Sequence, residues 1–193
     1  MEIARRLDGV RDHRSKSTEK STRALADRPN QFYFFAHQDG DSVIVPRVSS
    51  ERRDYIPVGY LDAGTVISDS ANAAYGVEPW LLALLTSRMH MVWLRAVGGK
   101  LKTDYRYSST IVYNNFPWPE PTDKQAAAIE AAAQEVLNAR AIFKTSSLAD
   151  LYTLDSMPPE LVKAHNKLDR AVDVAYGKTG FGREAERVVF LFE

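Results

Sequence analysis

Residues 78–99, EPWLLALLTSRMHMVWLRAVGG, decide how the rest of the chain must be arranged. Pro79 suits a first helical position, and Trp80, Leu81, Leu84 and Leu85 form an apolar face at helical spacing. Thr86-Ser87 interrupts that run, a second apolar stretch, MHMVWLRAV, follows, and Gly98-Gly99 ends it. The pattern predicts two short, buried helices, and a core must be built around them from both sides.

Upstream, QFYFFAH (31–37) and SVIVPRV (42–48) are aromatic or β-branched runs separated by the turn-like QDGD (38–41), which predicts a hairpin. YIPVGYL (55–61) and GTVISDS (64–70) are two further candidate strands, with Pro57 pushing the first toward a sheet edge or a bulge. Arg11 to Pro29 is polar and basic without sustained period and reads as a surface loop or short helix. Downstream, RYSSTIVYNNF (106–116) alternates as a strand would, and PWPEP (117–121) marks a boundary. Thr122 and Gln125 have capping-box spacing at the head of an Ala-rich helix with Ile129, Ala133, Val136, Leu137 and Ala141 on one face. Another helix is expected from Pro158-Pro159 to Gly177, with Leu161, His165, Leu168, Val172 and Ala175 as its stripe. The chain stops within the apolar run ERVVFLFE, as a fragment of something longer would. The expected class is α+β: a mixed or antiparallel twisted sheet with a buried helix pair, followed by a helical C-terminal segment. The division falls at 119/120, with a segment missing at each end.

The 193 residues are 45% hydrophobic and can bury a core, and the absence of cysteine excludes disulfides and thiolate metal sites. No leader or membrane-spanning stretch is visible, so a cytoplasmic protein is the default expectation. Net charge is zero, yet residues 1–119 hold 16 Lys and Arg against 13 Asp and Glu, and residues 120–193 hold 9 against 12. A mildly basic first part fits phosphate contact and is weak evidence alone.

Motifs for chemistry fail on spacing. GKTGFG (177–182) has the Gly-Lys-Thr of a phosphate loop, but Val172 stands where the first glycine is needed, and a helix C-cap accounts for it. NNFPWP (114–119) has its asparagines and prolines in the wrong order for an amino-methyltransferase signature. No Asp or Glu precedes a Lys by two positions, as a metal-dependent nuclease would require. His13, His37, His90 and His165 are scattered, which argues against a metal. The chain carries no legible catalytic centre, metal or cofactor site.

GGKLKTDYRYSS (98–109) is different, because Lys100, Lys102 and Arg106 interleave with Asp104, Tyr105 and Tyr107. In extended backbone Lys102, Asp104 and Arg106 point the same way. A Lys donates to guanine O6 and N7 and a carboxylate accepts from cytosine N4, so a Lys and an Asp two apart can read both members of one G·C pair. An exposed strand with compensating charges fits equally. PRVSSERRDYIPVGY (46–60) groups Arg47, Arg52 and Arg53 with Ser49 and Ser50, and with Lys100 these are candidate phosphate contacts, although a surface salt-bridge turn through Glu51 and Asp54 also fits.

Four long strings, VSSERRDYIPVGYLDAGTVISD, LLTSRMHMVWLRAVGGKLKTDYRYSSTIVYNNFPWP, SLADLY and MPPELVKAHNKLDRAVDVAYG, together resemble the C-terminal region of MmeI-like (type IIL) restriction-modification enzymes, a group that includes YeeA-type DNA methyltransferases. The resemblance spans essentially the whole chain. It implies a target-recognition domain to about Pro119, then a helical segment. It also implies a parent polypeptide with a nuclease, a helical connector and an adenine-N6 methyltransferase, using S-adenosylmethionine, and Mg for cleavage. Double-stranded DNA and that methyltransferase domain are the implied partners, and this chain by itself is not implied to be an enzyme. Carried over, Lys102 and Asp104 set the base read at one position, with Arg106 facing a neighbouring base. A scaffold that packs on the methyltransferase without reading bases stays open as the alternative.

Overall fold

A computed structural model describes residues 2–153 and 156–193. The chain divides into two compact units, one ending at Gln38 and the other spanning Asp39–Glu193. No described helix is long and apolar enough to cross a membrane.

The first unit contains helices α1 (Glu2–Ser15) and α2 (Lys20–Arg23), with no buried side chain in either. Of the basic segment expected as a loop or short helix, Arg11–Ser15 continue α1, Lys20–Arg23 form the short α2 and the rest is turn or loop, while local charge pairs support α1. Arg5 bonds Glu2 at 2.9 Å, Arg11 bonds Asp8 at 2.5 Å and Lys16 bonds Asp12 at 2.7 Å, all at three- or four-residue spacing. The Arg14 guanidinium donates to the carbonyls of Leu25, Arg28 and Gln31 at 3.2, 2.7 and 2.8 Å, which folds the following turn back on α1.

QFYFFAH forms no strand, so the hairpin expected across Gln38–Asp41 is absent. In the second unit, β1 (Ser42–Pro46) is instead the centre of an antiparallel sheet in the order β3-β1-β4, with β3 spanning Gly59–Leu61 and β4 Ala71–Tyr75. Val43 faces Tyr60 on one side and Ala74 on the other. A strand with two neighbours inside its own unit satisfies both its edges, and the aromatic run cannot compete for them. The edge position of β3 agrees with Pro57 two residues before it. Gly59 is required there, since a Cβ would lie 2.9 Å from the Ile44 side chain.

GTVISDS is a loop, and the strand begins just after it, in ANAAY. The exposed Val66 shows that β-branched residues alone do not make a strand where no packing surface meets them. The chain crosses to a second antiparallel sheet at Arg47, whose N–H donates to Ser70 O at 3.1 Å and whose carbonyl accepts from Tyr107 N at 2.8 Å. This sheet runs β2-β6-β5, with β2 at Val48–Ser49, β5 at Gly99–Leu101 and β6 at Asp104–Arg106. Both sheets are wholly antiparallel.

The helix pair forms as α3 (Pro79–Leu85) and α4 (Arg88–Val97), buried at Leu81–Leu85 and Met89–Leu94. The Ser87 hydroxyl caps α4 by accepting from His90 N at 3.3 Å. Gly98 is needed at its end because a Cβ would lie 2.5 Å from the Leu94 carbonyl oxygen. The strand expected in RYSSTIVYNNF stops at Arg106, and residues 109–113 form a single π-turn instead. Its buried Val112 offers a carbonyl to the Trp93 indole at 2.9 Å, a contact an outgoing strand would lose.

The Thr122/Gln125 capping box is formed at the start of α5 (Asp123–Ala141), which packs along α7 (Pro159–Ala175). Ile129, Ala133 and Val136 are buried as expected, while Ala141 is exposed and Arg140 is buried in its place. The short α6 (Leu148–Leu151) and the terminal α8 (Glu184–Phe192) complete the unit. Gly177, at φ 75°, follows α7 and makes GKTGFG a helix-ending turn.

Buried polar groups tie the helices to the sheet. Arg140 donates to Tyr152 Oη at 2.9 Å, Val58 O at 2.8 Å and Thr86 Oγ1 at 3.2 Å. Tyr152 Oη lies 2.6 Å from His165 Nε2, and the His165 ring stacks on Tyr55 at 4.0 Å. Asp169 accepts from Tyr55 Oη at 2.8 Å and from the Arg88 N–H at 2.7 Å, while its desolvation holds the carboxyl above the ordinary range.

Burial also drives His90 and His165 well below the ordinary histidine range, to about 3. Below the unfolded value the unfolded chain binds protons that the folded chain refuses, so stability falls as pH falls. From pH 6.5 to 5 we expect a loss of up to about 2.7 kcal/mol per pH unit, about 1.4 from each histidine. Asp169 and Asp173, whose carboxyls burial raises, act in the opposite sense above the unfolded aspartate value and so temper that slope. Urea unfolding across this range checks the slope, and His165→Gln should roughly halve it.

Candidate nucleic-acid interface

Strands β5 and β6 form a hairpin in which Leu101 faces Asp104, Lys100 faces Tyr105 and Gly99 faces Arg106. Lys102 and Thr103 are its two-residue turn. Lys102 has φ 57°, and no other non-glycine described residue has a positive φ. Positive φ at the first turn position matches the twist of the flanking strands and normally selects glycine. The backbone here stores strain in a lysine.

The three candidate base readers are therefore not on one extended run. Asp104 and Arg106 share a face of β6, and Lys102 projects from the turn beside Asp104. The turn bends because a two-residue connection is the shortest that lets β6 pair back on β5. Lys102 and Arg106 are exposed, Asp104 is half-buried, and none of the three side chains has a hydrogen bond or ion pair with another described residue. A purely structural salt-bridge cluster would have consumed them.

The five candidate phosphate contacts divide sharply. Lys100 Nζ donates to Thr103 O at 3.1 Å and sits 3.5 Å from the centroid of the Tyr105 ring, so its charge braces the hairpin. Ser49 is buried in β2, opposite Tyr105, and its hydroxyl accepts from Arg53 Nη1 at 3.4 Å. Arg53 is half-buried, and its Nη2 donates to Ala149 O at 3.4 Å. The Arg53 carbonyl in turn accepts from Arg95 Nη2 at 3.0 Å, and Arg95 pairs with Glu184 at 2.5 Å. Ser50 Oγ accepts from Arg52 N at 3.3 Å inside the turn. Arg52 remains exposed, and its side chain has no partner among the described residues. Sequence spacing could not separate the two arginines, because the distinction comes from elements some 40 and 95 residues away.

A cleft of about 350 Å³ at the hairpin foot is lined by Arg47, Asn72, Arg106, Ser108 and Ser109. Asn72 Nδ2 is buried there without a hydrogen-bond partner among the described residues. Asn72 carried no signal in the sequence, where it followed a run read as a strand. A more polar cavity of about 450 Å³ brings Asp169, Asp173 and Glu184 near Arg88, Arg170, Arg183 and Arg187. Its carboxylates are paired: Arg187 with Asp173 at 2.7 Å, Arg88 with Asp169 at 3.3 Å, and Glu184 with Arg95. Among the described residues no group of three or more His, Asp or Glu is placed to hold a metal ion.

The sequence model of the MmeI target recognition domain matches residues 1–120, and that of the MmeI C-terminal domain matches residues 121–193. The chain belongs to the MmeI family. It is 43% identical over 191 residues to DNA methyltransferase A of Bacillus subtilis (strain 168), covering 99% of this chain and 22% of that protein. It also superposes on the structure of the type IIL restriction-modification enzyme MmeI in complex with DNA. The TM-score is 0.91 at 44% identity, covering 98% of this chain and 25% of that one. The chain thus spans a quarter or less of the length of these MmeI-family relatives.

The two arginines should behave differently in unfolding experiments. Arg53→Ala removes the bonds to the buried Ser49 hydroxyl and to the exposed Ala149 carbonyl and should cost about 1 kcal/mol, whereas Arg52→Ala should stay within about 0.5 kcal/mol of the unaltered chain. Urea unfolding of both variants measures the difference.

Proposed function

We propose that this chain docks on duplex DNA and reads one base pair with the β5–β6 hairpin, as the recognition part of a longer DNA methyltransferase. One observation carries the reading: a lysine in strained backbone stands beside an aspartate at the tip of the β5–β6 hairpin, and neither side chain has a partner among the described residues. The tip of the hairpin extends beyond β2, and a hairpin tip fits the major groove. The Lys102 ammonium would donate to guanine O6 and N7, and the Asp104 carboxylate would accept from cytosine N4. Arg106, on the same face of β6, would address the adjacent pair, and Arg52 would hold a backbone phosphate and fix the register.

Residues 1–119 are read as the DNA-recognition domain and residues 120–193 as the helical segment that supports it. The parent is read as an adenine-N6 methyltransferase using S-adenosylmethionine, with an endonuclease that uses Mg. Both activities are assigned outside this chain, none of whose residues is given a role toward either group. The methyltransferase acts on an adenine turned out of the duplex, and the hairpin sets which sequence is engaged when that happens. The name of the Bacillus relative and the DNA complex of MmeI support this reading. The unpaired side chains weigh against a scaffold that never touches bases.

Exchanging the pair, as Lys102→Asp with Asp104→Lys in the parent, should change the base accepted at one position of the methylated site. Methylation mapping of the two enzymes reads this directly, and an unchanged site would overturn the assignment. In the same parent, Arg52→Ala should weaken binding to all sequences alike and make the slope of log K against log salt shallower by about 1. Loss confined to one sequence would instead place Arg52 among the base readers.

A further inference from the structure

Phe32, Tyr33, Phe34 and Phe35 are 76, 73, 77 and 61% exposed. Four consecutive aromatic rings in water are costly, since each can bury about 150–250 Å², and contiguous apolar patches mark interaction sites. The composition of QFYFFAH is that of a strand, yet from Phe32 to Ala36 no backbone N–H or carbonyl has a hydrogen-bond partner among the described residues. Paired as a strand, this strip would present Phe32 and Phe34 on one face and Tyr33 and Phe35 on the other. Both faces would be apolar, as in a strand covered on both sides.

The geometry points to Phe32–Ala36 as a strand that completes the edge of a sheet in the methyltransferase domain of the parent polypeptide. This rests on the reading that the chain is part of a longer methyltransferase, whose relatives are four to five times its length. Open α/β cofactor-binding domains are built on a sheet with two free edges, and strand addition to such an edge supplies backbone bonds together with side-chain pockets. Two further observations favour a protein surface over DNA. The strip has no cation of its own. Of the eight Lys and Arg in residues 1–38, Arg5, Arg6, Arg11 and Lys16 are paired with a carboxylate and Arg14 and Arg23 are spent on backbone carbonyls, which leaves two, Lys20 and Arg28, among the described residues. A unit of fewer than 40 residues with nothing buried in its helices also needs an external surface to fold against.

Hydrogen exchange followed by mass spectrometry, on the parent and on the 193-residue chain, tests the pairing. Amides 33–36 should exchange at least about 100-fold more slowly in the parent, with or without DNA, and freely in the shorter chain. Free exchange in the parent overturns the proposal. So does protection that appears only when DNA is added, which assigns the strip to nucleic acid. Protection in the shorter chain that rises with its concentration also overturns it, because the occupant is then a second copy. A parent whose methylation site responds to the Lys102/Asp104 exchange while the strip exchanges freely loses only this inference. A protected strip with an unmoved site loses only the base-reading assignment.

Discussion

The guanidinium of Arg140 is the point on which the second unit turns. It emerges from α5 and reaches a carbonyl beside β3, a hydroxyl at the end of α3 and the Tyr152 phenol, so one side chain ties the sheet, the helix pair and the C-terminal helices together. A buried charge of this kind stabilises only when its donors are satisfied. Satisfying them requires all three elements in one arrangement. The Tyr55–Asp169–Arg88 cluster repeats the device from α7, and the stacked ring of His165 on Tyr55 joins the two. The helical segment after Thr122 is therefore built into the frame that carries the hairpin.

That frame determines which charged side chains are free to act outside the molecule. Arg53 and Lys100 are absorbed: one braces the turn after β2, the other the hairpin itself. Because β2 pairs with β6, the turn bearing Arg52 and the hairpin bearing Lys102 share one sheet. Their separation is consequently set by hydrogen bonds, not by loop flexibility. Holding a phosphate contact and a base contact at fixed spacing is what sequence reading asks of a protein.

Charge is distributed differently from what the 1–119 total suggests. The excess of three positive charges lies wholly in residues 1–38, with 8 Lys and Arg against 5 Asp and Glu, while residues 39–119 balance at 8 and 8. Much of the first unit's positive charge is already engaged with its own carboxylates and carbonyls. The hairpin's candidacy thus rests on geometry and unpaired groups, and a net basic field contributes little.

Local chemistry was legible wherever the deciding interaction lies within a few residues. The helix pair, the Gly98 stop and the Thr122–Gln125 capping box all follow from side chains and backbone groups within a single turn. Strands were misread at QFYFFAH, GTVISDS and RYSSTIVYNNF, because a strand exists only if another strand arrives beside it, and alternation does not reveal whether one does. The alanine-rich β4 shows the converse: weak strand formers become a strand when β1 is there to pair with them. At the candidate site, the sequence by itself determined that Lys102, Asp104 and Arg106 would be neighbours with complementary hydrogen-bonding chemistry. Only the tertiary structure decided that Lys102 occupies a strained turn, that the three side chains stay unpaired, and that Arg53 turns inward while Arg52 does not. Those outcomes depend on β2, Ala149 and Arg95 closing on the same place, and contacts between distant segments leave no periodicity in the chain.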